Sequence, residues 1–385
     1  MEVTIKELGK IITGNTPSKK IEEFWNSEDI CFVKPDIISD NSVNEIFESN
    51  EYISEEAKKK ARVVSKDSIF ITCIGSIGKI GIALEGEYAF NQQINAIVPN
   101  DKVLPKYLAY NLLYNRPRLV SISNAPVVPI INKSQFSEFT INIDSNKNKQ
   151  LEIVDVLDKL NHIIEQRNEE LSVLDNLIKS RFVELFGDPI MNPKGWEVVT
   201  IGDITTEVRY GTSKPAVEGG RYPYLRMNNL TIDGHLDLTE LKYIDIPDDE
   251  IEKCVVRKGD ILFNRTNSIE LVGKTAVFDF PDDMVIAGYI IRVRLNTKMF
   301  PEVLSQYMNL EAIRDILRSM AKGAVNQANI NAQELQSIRV YVPDIELQKQ
   351  FVEMKEQIDK SKVAVQKSLD ETQLLFDSLM QKYFG

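Results

Sequence analysis

Between residues 148 and 186 apolar side chains return at every seventh position: Leu157, Ile164, Leu171, Ile178 and Leu185. A second row, Ile153, Leu160 and Leu174, is interrupted by Arg167 and Arg181, and the stretch holds no proline or glycine. A seven-residue apolar repeat is the seam of a coiled coil. Sustained for about five heptads, it predicts a helix on the order of 55–60 Å long. The interval recurs near the end of the chain at Phe351, Ile358, Val365 and Leu379, with Thr372 as the break. One helix cannot bury a seam alone. The pattern therefore predicts two antiparallel helices packed on each other, holding a globular domain at either end. The alternative is two unrelated amphipathic helices, each lying on its own domain.

Elsewhere the period shortens to two. Short β-branched runs bounded by turn residues, "SIFITCIG" (68–75), "INAIVP" (94–99), "DILFNRT" (260–266) and "YIIRVRLN" (289–296), read as strands. "MVIAGYIIRV" (284–293) reads as one buried strand, and "PKYLAYNLLY" (105–114) and "EVLSQYMNLEAIRDILRSM" (302–320) as helices. "EEAKKKAR" (55–62) reads as a solvated helix face. These segments come in ordered pairs. "TIKELGKIITGNTPSK" (4–19) matches "TIGDITTEVRYGTSKP" (200–215), "VVSKDSIFIT" (63–72) matches "VVRKGDILFN" (255–264), and "IKSRFVELFG" (178–187) matches the closing "FDSLMQKYFG" (376–385). The offset stays near 196–201 residues, so the chain is an internal duplication. The expected organisation is a mixed α/β (α+β) domain over 1–147, a long helix over 148–187, a second such domain over 188–345 and a second long helix over 346–385.

Composition changes this picture little. The 385 residues are 43% apolar and 27% charged, an ordinary globular balance. No run approaches the roughly 18 apolar residues of a membrane span, and "MEVTIKELGK" has no apolar signal core. Three cysteines, Cys31, Cys73 and Cys254, are too few and unpaired in spacing for a disulfide framework. A reduced, cytoplasmic chain is expected. The net charge of −11 does not favour a nucleic-acid partner, but charge summed over a chain does not describe its separate surfaces.

Catalytic patterns are missing. Two histidines, His162 and His235, cannot build a His-rich metal site, and no Cys/His spacing resembles a zinc motif. "IGSIGKIG" (74–81) lacks the order of a phosphate loop or a dinucleotide fingerprint and reads as a strand-to-strand turn with a basic tip. No serine occupies a nucleophile elbow. The pattern favours a binding protein without catalytic residues or metal.

"ITGNTPSKKIEEFW" (12–25) resembles the G-x-T-P-S … W opening of a target recognition domain. "IGSIGKIGIALEGEYAFNQQINAIVP" (74–99) is similar to the later G-T-I-G … N-Q … P stretch of the same domains. With the long helices, the whole chain resembles the specificity subunit of type I restriction–modification systems. The second copy departs: "YGTSKPAVEGG" (210–220) lacks the Thr-Pro-Ser order, and Ala287, Gly288 and Tyr289 stand where the first copy has Asn91, Gln92 and Gln93.

The resemblance implies a non-catalytic subunit whose two domains each read one half of a bipartite, asymmetric site in double-stranded DNA. The helices would set the spacing and dock two modification (methyltransferase) subunits, with restriction subunits joining them. It implies no cofactor on this chain, and S-adenosylmethionine, ATP and magnesium on the partners. A coiled-coil adaptor without DNA binding and a cryptic methyltransferase are the alternatives.

Base reading needs forked donors such as Arg, Asn or Gln, whereas Lys, Ser and Thr position phosphates. The candidates in the first domain are Ser18, Lys19, Lys20, Lys34, Ser76, Lys79, Gln92 and Gln93. Those in the second are Thr212, Ser213, Lys214, Arg226, Asn228, Asn264, Arg265, Asn267, Lys322 and Gln327. Such residues also populate ordinary loops. Arg265, Lys34 and Gln92 stand out because each adjoins a strand able to hold it.

Overall fold

In the strand Ile69–Thr72 alternate side chains serve two layers. Ile69 and Ile71 face a helical layer, while Phe70 faces a second sheet. The computed structural model describes residues 1–123, 128–324 and 327–385, with 322–324 described by their backbone alone. It divides into two compact units, residues 1–169 with 366–385, and residues 170–365.

The first unit is built on a five-stranded sheet in the order Gly9–Thr13, Ile94–Pro99, Ile69–Thr72, Ile80–Ala83, Val43–Ile46. Neighbours are antiparallel except the last pair. One face packs on a four-stranded sheet, Tyr52–Ile53, Ile30–Val33, Glu87–Phe90, Val63–Ser65. There the ring of Phe70 lies 5.9 Å from Tyr88 and 5.4 Å from Phe90, both edge-on. The other face packs on the helix Pro105–Tyr114 and on parts of both long helices.

Those long helices span Lys147–Phe186 and Ile345–Phe384. Each starts on a fully buried glutamine. Gln150 Nε2 donates to the carbonyls of Lys102 and Asp144 while its Oε1 accepts from Leu104 N. Gln348 does the same with Lys298, Pro343 and Phe300. In the first unit Leu157 of the first helix shares a core with Phe376, Met380 and Phe384 of the second. Tyr107 accepts a hydrogen bond from Asp144 N and packs its ring 5.2 Å from Phe384. Tyr110 donates to Asp158 and packs 6.2 Å from Phe376. Thus 144 to 158 runs beside 384 to 376, and the helices are antiparallel there.

The second unit repeats the plan. Its main sheet runs Thr205–Tyr210, Ile290–Leu295, Ile261–Asn264, Thr275–Val277, all antiparallel. Beside it lies Lys242–Ile244, Tyr222–Leu225, Met284–Ile286, Val255–Val256. The rings of Phe182, Phe186 and Phe351 meet at 4.8–5.6 Å. Asp175 pairs with Lys362 at 2.5 Å, again an antiparallel register.

Along the seam Leu157, Ile178, Phe351, Ile358 and Val365 are buried, and Ile164, Leu171, Leu185 and Leu379 are half-buried. The helices are not free-standing segments: each is shared, divided at Glu169/Glu170 and at Val365/Gln366.

Three expected elements are corrected. "MVIAGYIIRV" is two strands in different sheets, because the chain turns at Ala287–Tyr289. The helix over 302–320 breaks at Asn309, which closes the first helix through its backbone N to Ser305 O while its side-chain Nδ2 donates to the Thr275 carbonyl at 2.6 Å. The "EEAKKKAR" helix is a single turn, Glu55–Lys58.

Candidate nucleic-acid interface

In the first unit Thr13 lies opposite Asn95, Ile94 opposite Thr72, and Ile71 opposite Ile80. The segments 14–20, 73–79 and 91–93 therefore emerge from one end of the sheet. Lys34 joins them, since it follows Val33, whose carbonyl accepts Asn91 N at 3.1 Å. This end gathers Ser18, Lys19, Lys20, Lys34, Ser76, Lys79, Gln92 and Gln93.

Backbone contacts seat the first loop on the turn. Gly14 N donates to Ile94 O at 3.0 Å and Asn15 N to Phe90 O at 2.9 Å. A Cβ on Gly14 would fall under 3 Å from the carbonyl oxygens of Phe90 and Asn91, so the approach requires glycine. Thr16 then donates to Gln92 Oε1 at 2.8 Å. Gln93 is half-buried and accepts from Asn91 Nδ2, so its carbonyl oxygen is engaged, whereas Gln92 is exposed.

Glu51 organises two of the cations: Lys34 Nζ lies 2.7 Å and Lys19 Nζ 3.0 Å from its carboxylate. The hydrogen bond to Glu51 raises the Lys34 pKa above its ordinary value. Lys19 also lies over the Trp25 ring at 4.9 Å. Lys79 pairs with Asp40 at 3.3 Å. Lys20 and Ser18 are exposed, as is Ser76.

The second unit reproduces this backbone with different side chains. Gly211 N donates to Ile290 O at 3.1 Å and Thr212 N to Ile286 O at 2.9 Å. A Cβ on Gly211 would also meet two carbonyls, those of Ile286 and Ala287. Ala287 N donates to Leu225 O as Asn91 N does to Val33 O, which makes Arg226 the counterpart of Lys34. Arg265 N donates to Tyr289 O and Arg265 O accepts from Ile330 N, as Cys73 does with Gln93 and Ile131. Arg265 thus stands where the first domain has a buried cysteine. Replacing Gly211 or Gly14 by Ala should lift the loop from its turn and destabilise its unit by about 1–3 kcal/mol, read by thermal unfolding.

Thr212 is half-buried and Ser213 exposed, and Lys214 pairs with Glu250 at 2.7 Å. Arg226 Nη2 reaches the Glu240 carbonyl at 3.3 Å, and Asn228 is exposed. Asn264 is fully buried; its Nδ2 donates to the Thr266 and Tyr289 carbonyls and its Oδ1 accepts from Asn267. Its polar atoms are engaged in holding the turn. Asn267 is tied to Asn264 and to Ser268 N. Gln327 is exposed on a strand beside Thr266–Asn267. Lys322 lies in the adjoining strand, with its side chain outside the described residues.

Sequence reasoning missed Thr16, Glu51, Tyr210 and Tyr289. The last two had a visible signal, as aromatics flanking "GTSK" and closing "AGY". Arg62 was missed as well; it donates to Thr13 O and, through its backbone N, to Asn15 Oδ1.

Two other features are distinct from these loop ends. A concavity of about 950 Å³ between the strand Val43–Ile46 and the first long helix carries Glu45, Glu48, Asp158 and Glu165, a poor surface for phosphate. Asp175, Asp233 and His235 group their ligand atoms within 4.8 Å. The Lys362 ammonium already sits among them, 2.5 Å from Asp175 and 3.2 Å from His235 Nε2. Burial and that ammonium lower the His235 pKa.

Two copies of one scaffold, each presenting polar and basic loops from one sheet end and each braced by long helices, make up the chain. The chain belongs to the type I restriction modification DNA specificity domain family, whose model matches it twice, over residues 1–173 and 193–372. The type I restriction enzyme MjaIX specificity subunit of Methanocaldococcus jannaschii is 29% identical over 249 residues, 59% of this chain and 57% of that one. The EcoKI specificity subunit of Escherichia coli is 22% identical over 281 residues, 70% of this chain and 58% of that one. The chain thus spans somewhat more than half the length of these relatives. The crystal structure of a type I restriction–modification system S subunit from M. genitalium shares the fold, with a TM-score of 0.58 at 16% identity over 100% of this chain and 96% of that one. Among the described residues no helix is long and apolar enough to cross a membrane.

Proposed function

We propose that this chain is the DNA-recognition subunit of a type I restriction–modification complex. Each loop end reads one half of a bipartite, asymmetric site in duplex DNA. The observation that carries this reading is the repeated backbone seat of Gly14 and Gly211 under side chains that differ at matched positions, Lys34 against Arg226, Cys73 against Arg265 and Gln92 against Gly288. A shared scaffold with divergent tips is what two halves of a non-palindromic site require. A two-fold dimer of identical readers would instead impose a palindrome.

The chain itself contributes recognition. Two methyltransferase subunits would dock on the paired helices and carry S-adenosylmethionine, and restriction subunits would add the ATP- and magnesium-dependent step, all in the cytoplasm with the DNA. The test co-expresses the chain with its methyltransferase partner and maps modified bases across the host genome. A two-part motif is expected, and Gln92→Ala should relax one part only. Relaxation of both parts, or no motif, would remove the proposal.

A further inference from the structure

Several arginines of the second unit are committed to contacts within the fold, Arg226 and Arg314 to backbone carbonyls at 2.8–3.3 Å. Arg221, Arg257, Arg294 and Arg318 each hold a carboxylate within 3.0 Å. Arg265 holds none among the described residues. Its guanidinium lies over the Tyr210 ring at 5.0 Å, its Nη1 reaches the Gly288 carbonyl only at 3.5 Å, and its Nε is buried without a partner. The backbone beneath it is pinned on both sides, by Tyr289 O and by Ile330 N at 2.9 Å each. A cation meant only to neutralise phosphate needs no fixed plane. A guanidinium held over a ring, on a clamped backbone, is restrained in direction before any ligand arrives, which favours a paired contact to the O6 and N7 of guanine.

We propose that the half-site read by the second domain contains a guanine recognised by Arg265, with Tyr210 as its positioning residue. This rests on the DNA-reading function proposed above. The first domain has no equivalent. Cys73 occupies the corresponding place, buried and bonded to Asn95 Nδ2 at 3.2 Å, so it offers nothing to a base edge. The asymmetry of the site therefore includes a guanine contact in one half that the other half lacks at the matching position.

The test is motif mapping with the complete complex. The wild-type motif should carry guanine in the half that Gln92→Ala leaves intact. Arg265→Ala should lower discrimination at that single position by roughly 5- to 150-fold. Arg265→Lys, which keeps the charge and guards against misfolding, should relax the same position. Tyr210→Phe loses the hydrogen bond its hydroxyl accepts from Ala332 N but keeps the ring, so it should retain the motif, whereas Tyr210→Ala should not. Two results overturn the inference alone. One is a second half-site without guanine. The other is an Arg265→Ala complex that binds every sequence more weakly with the motif unchanged and a salt slope lower by about one, the signature of a phosphate contact. A wild-type complex that modifies no motif removes the DNA-reading function, and the guanine contact falls with it.

Discussion

Deleting residues 366–385 should unfold the N-terminal domain and spare the one that immediately precedes the cut. Phe376, Met380 and Phe384 belong to the core formed by Ile69, Ile71, Tyr107 and Leu157, and Phe384 packs its ring on Tyr107. Losing a buried Phe costs about 3–5 kcal/mol and a buried Met about 2–5 kcal/mol. Three such losses, about 8–15 kcal/mol together, are as large as the roughly 5–15 kcal/mol that holds a typical domain together. Hydrogen exchange on the truncated chain should show lost protection in Ile69–Thr72, Ile94–Pro99 and Pro105–Tyr114. Protection in Ile261–Asn264 and Ile290–Leu295 should persist. Loss confined to the second set would mean that the C-terminal helix serves the domain it follows. Phe351→Ala gives the converse, since its ring packs edge-on against Phe182 and Phe186 of the second unit.

That partition was only half visible in the sequence. The seven-residue interval at Leu157, Ile164 and Ile178 gave the helices and their need for a partner. It could not say which surface lies opposite each turn, because a period fixes a face and not what covers it. Phe182 and Phe376 fall outside the heptad rows, yet they carry the packing between helix and domain. Strand runs were readable where both neighbours demanded alternation, as at Ile69–Thr72. "MVIAGYIIRV" misled because its apolar run continues through a turn whose cause, the Gly211 loop seated against it, lies some 75 residues earlier.

The loop residues divided in the same way. Gln92 and Lys34 adjoin strands and reach the loop end, as their neighbours suggested. Asn264 adjoins a strand too, but its residue type is equally suited to tying a turn, and only the fold shows that it does so. Tyr210 went unnoticed because an aromatic beside a glycine reads as packing until a guanidinium is found resting on it.

The second large effect is expected at Glu207, beneath those loops. Its Oε2 accepts from Arg292 at 2.7 Å and from Arg294 at 2.9 Å, and Arg294 also pairs with Asp260 at 2.8 Å. Arg292 is fully buried. Three strands are thereby locked together, those whose ends carry Tyr210, Tyr289 and Arg265. Glu207→Ala leaves the Arg292 charge without its counter-ion, which costs about 3–5 kcal/mol when a buried pair loses one partner. Arg292→Met should cost less, because it removes the buried charge and leaves Glu207 with Arg209 and Arg294. Burial pushes the Glu207 carboxyl up, but Arg209, Arg292 and Arg294 more than offset this and hold it below its ordinary value. The carboxylate's contribution is therefore complete above about pH 4.3, the unfolded glutamate value, and is lost as pH falls through the lower folded value. Thermal unfolding of wild type and Glu207→Gln should differ most near neutrality and converge in acid. If the gap between them stayed constant as the pH was lowered, the ion pairs would not be what binds these strands.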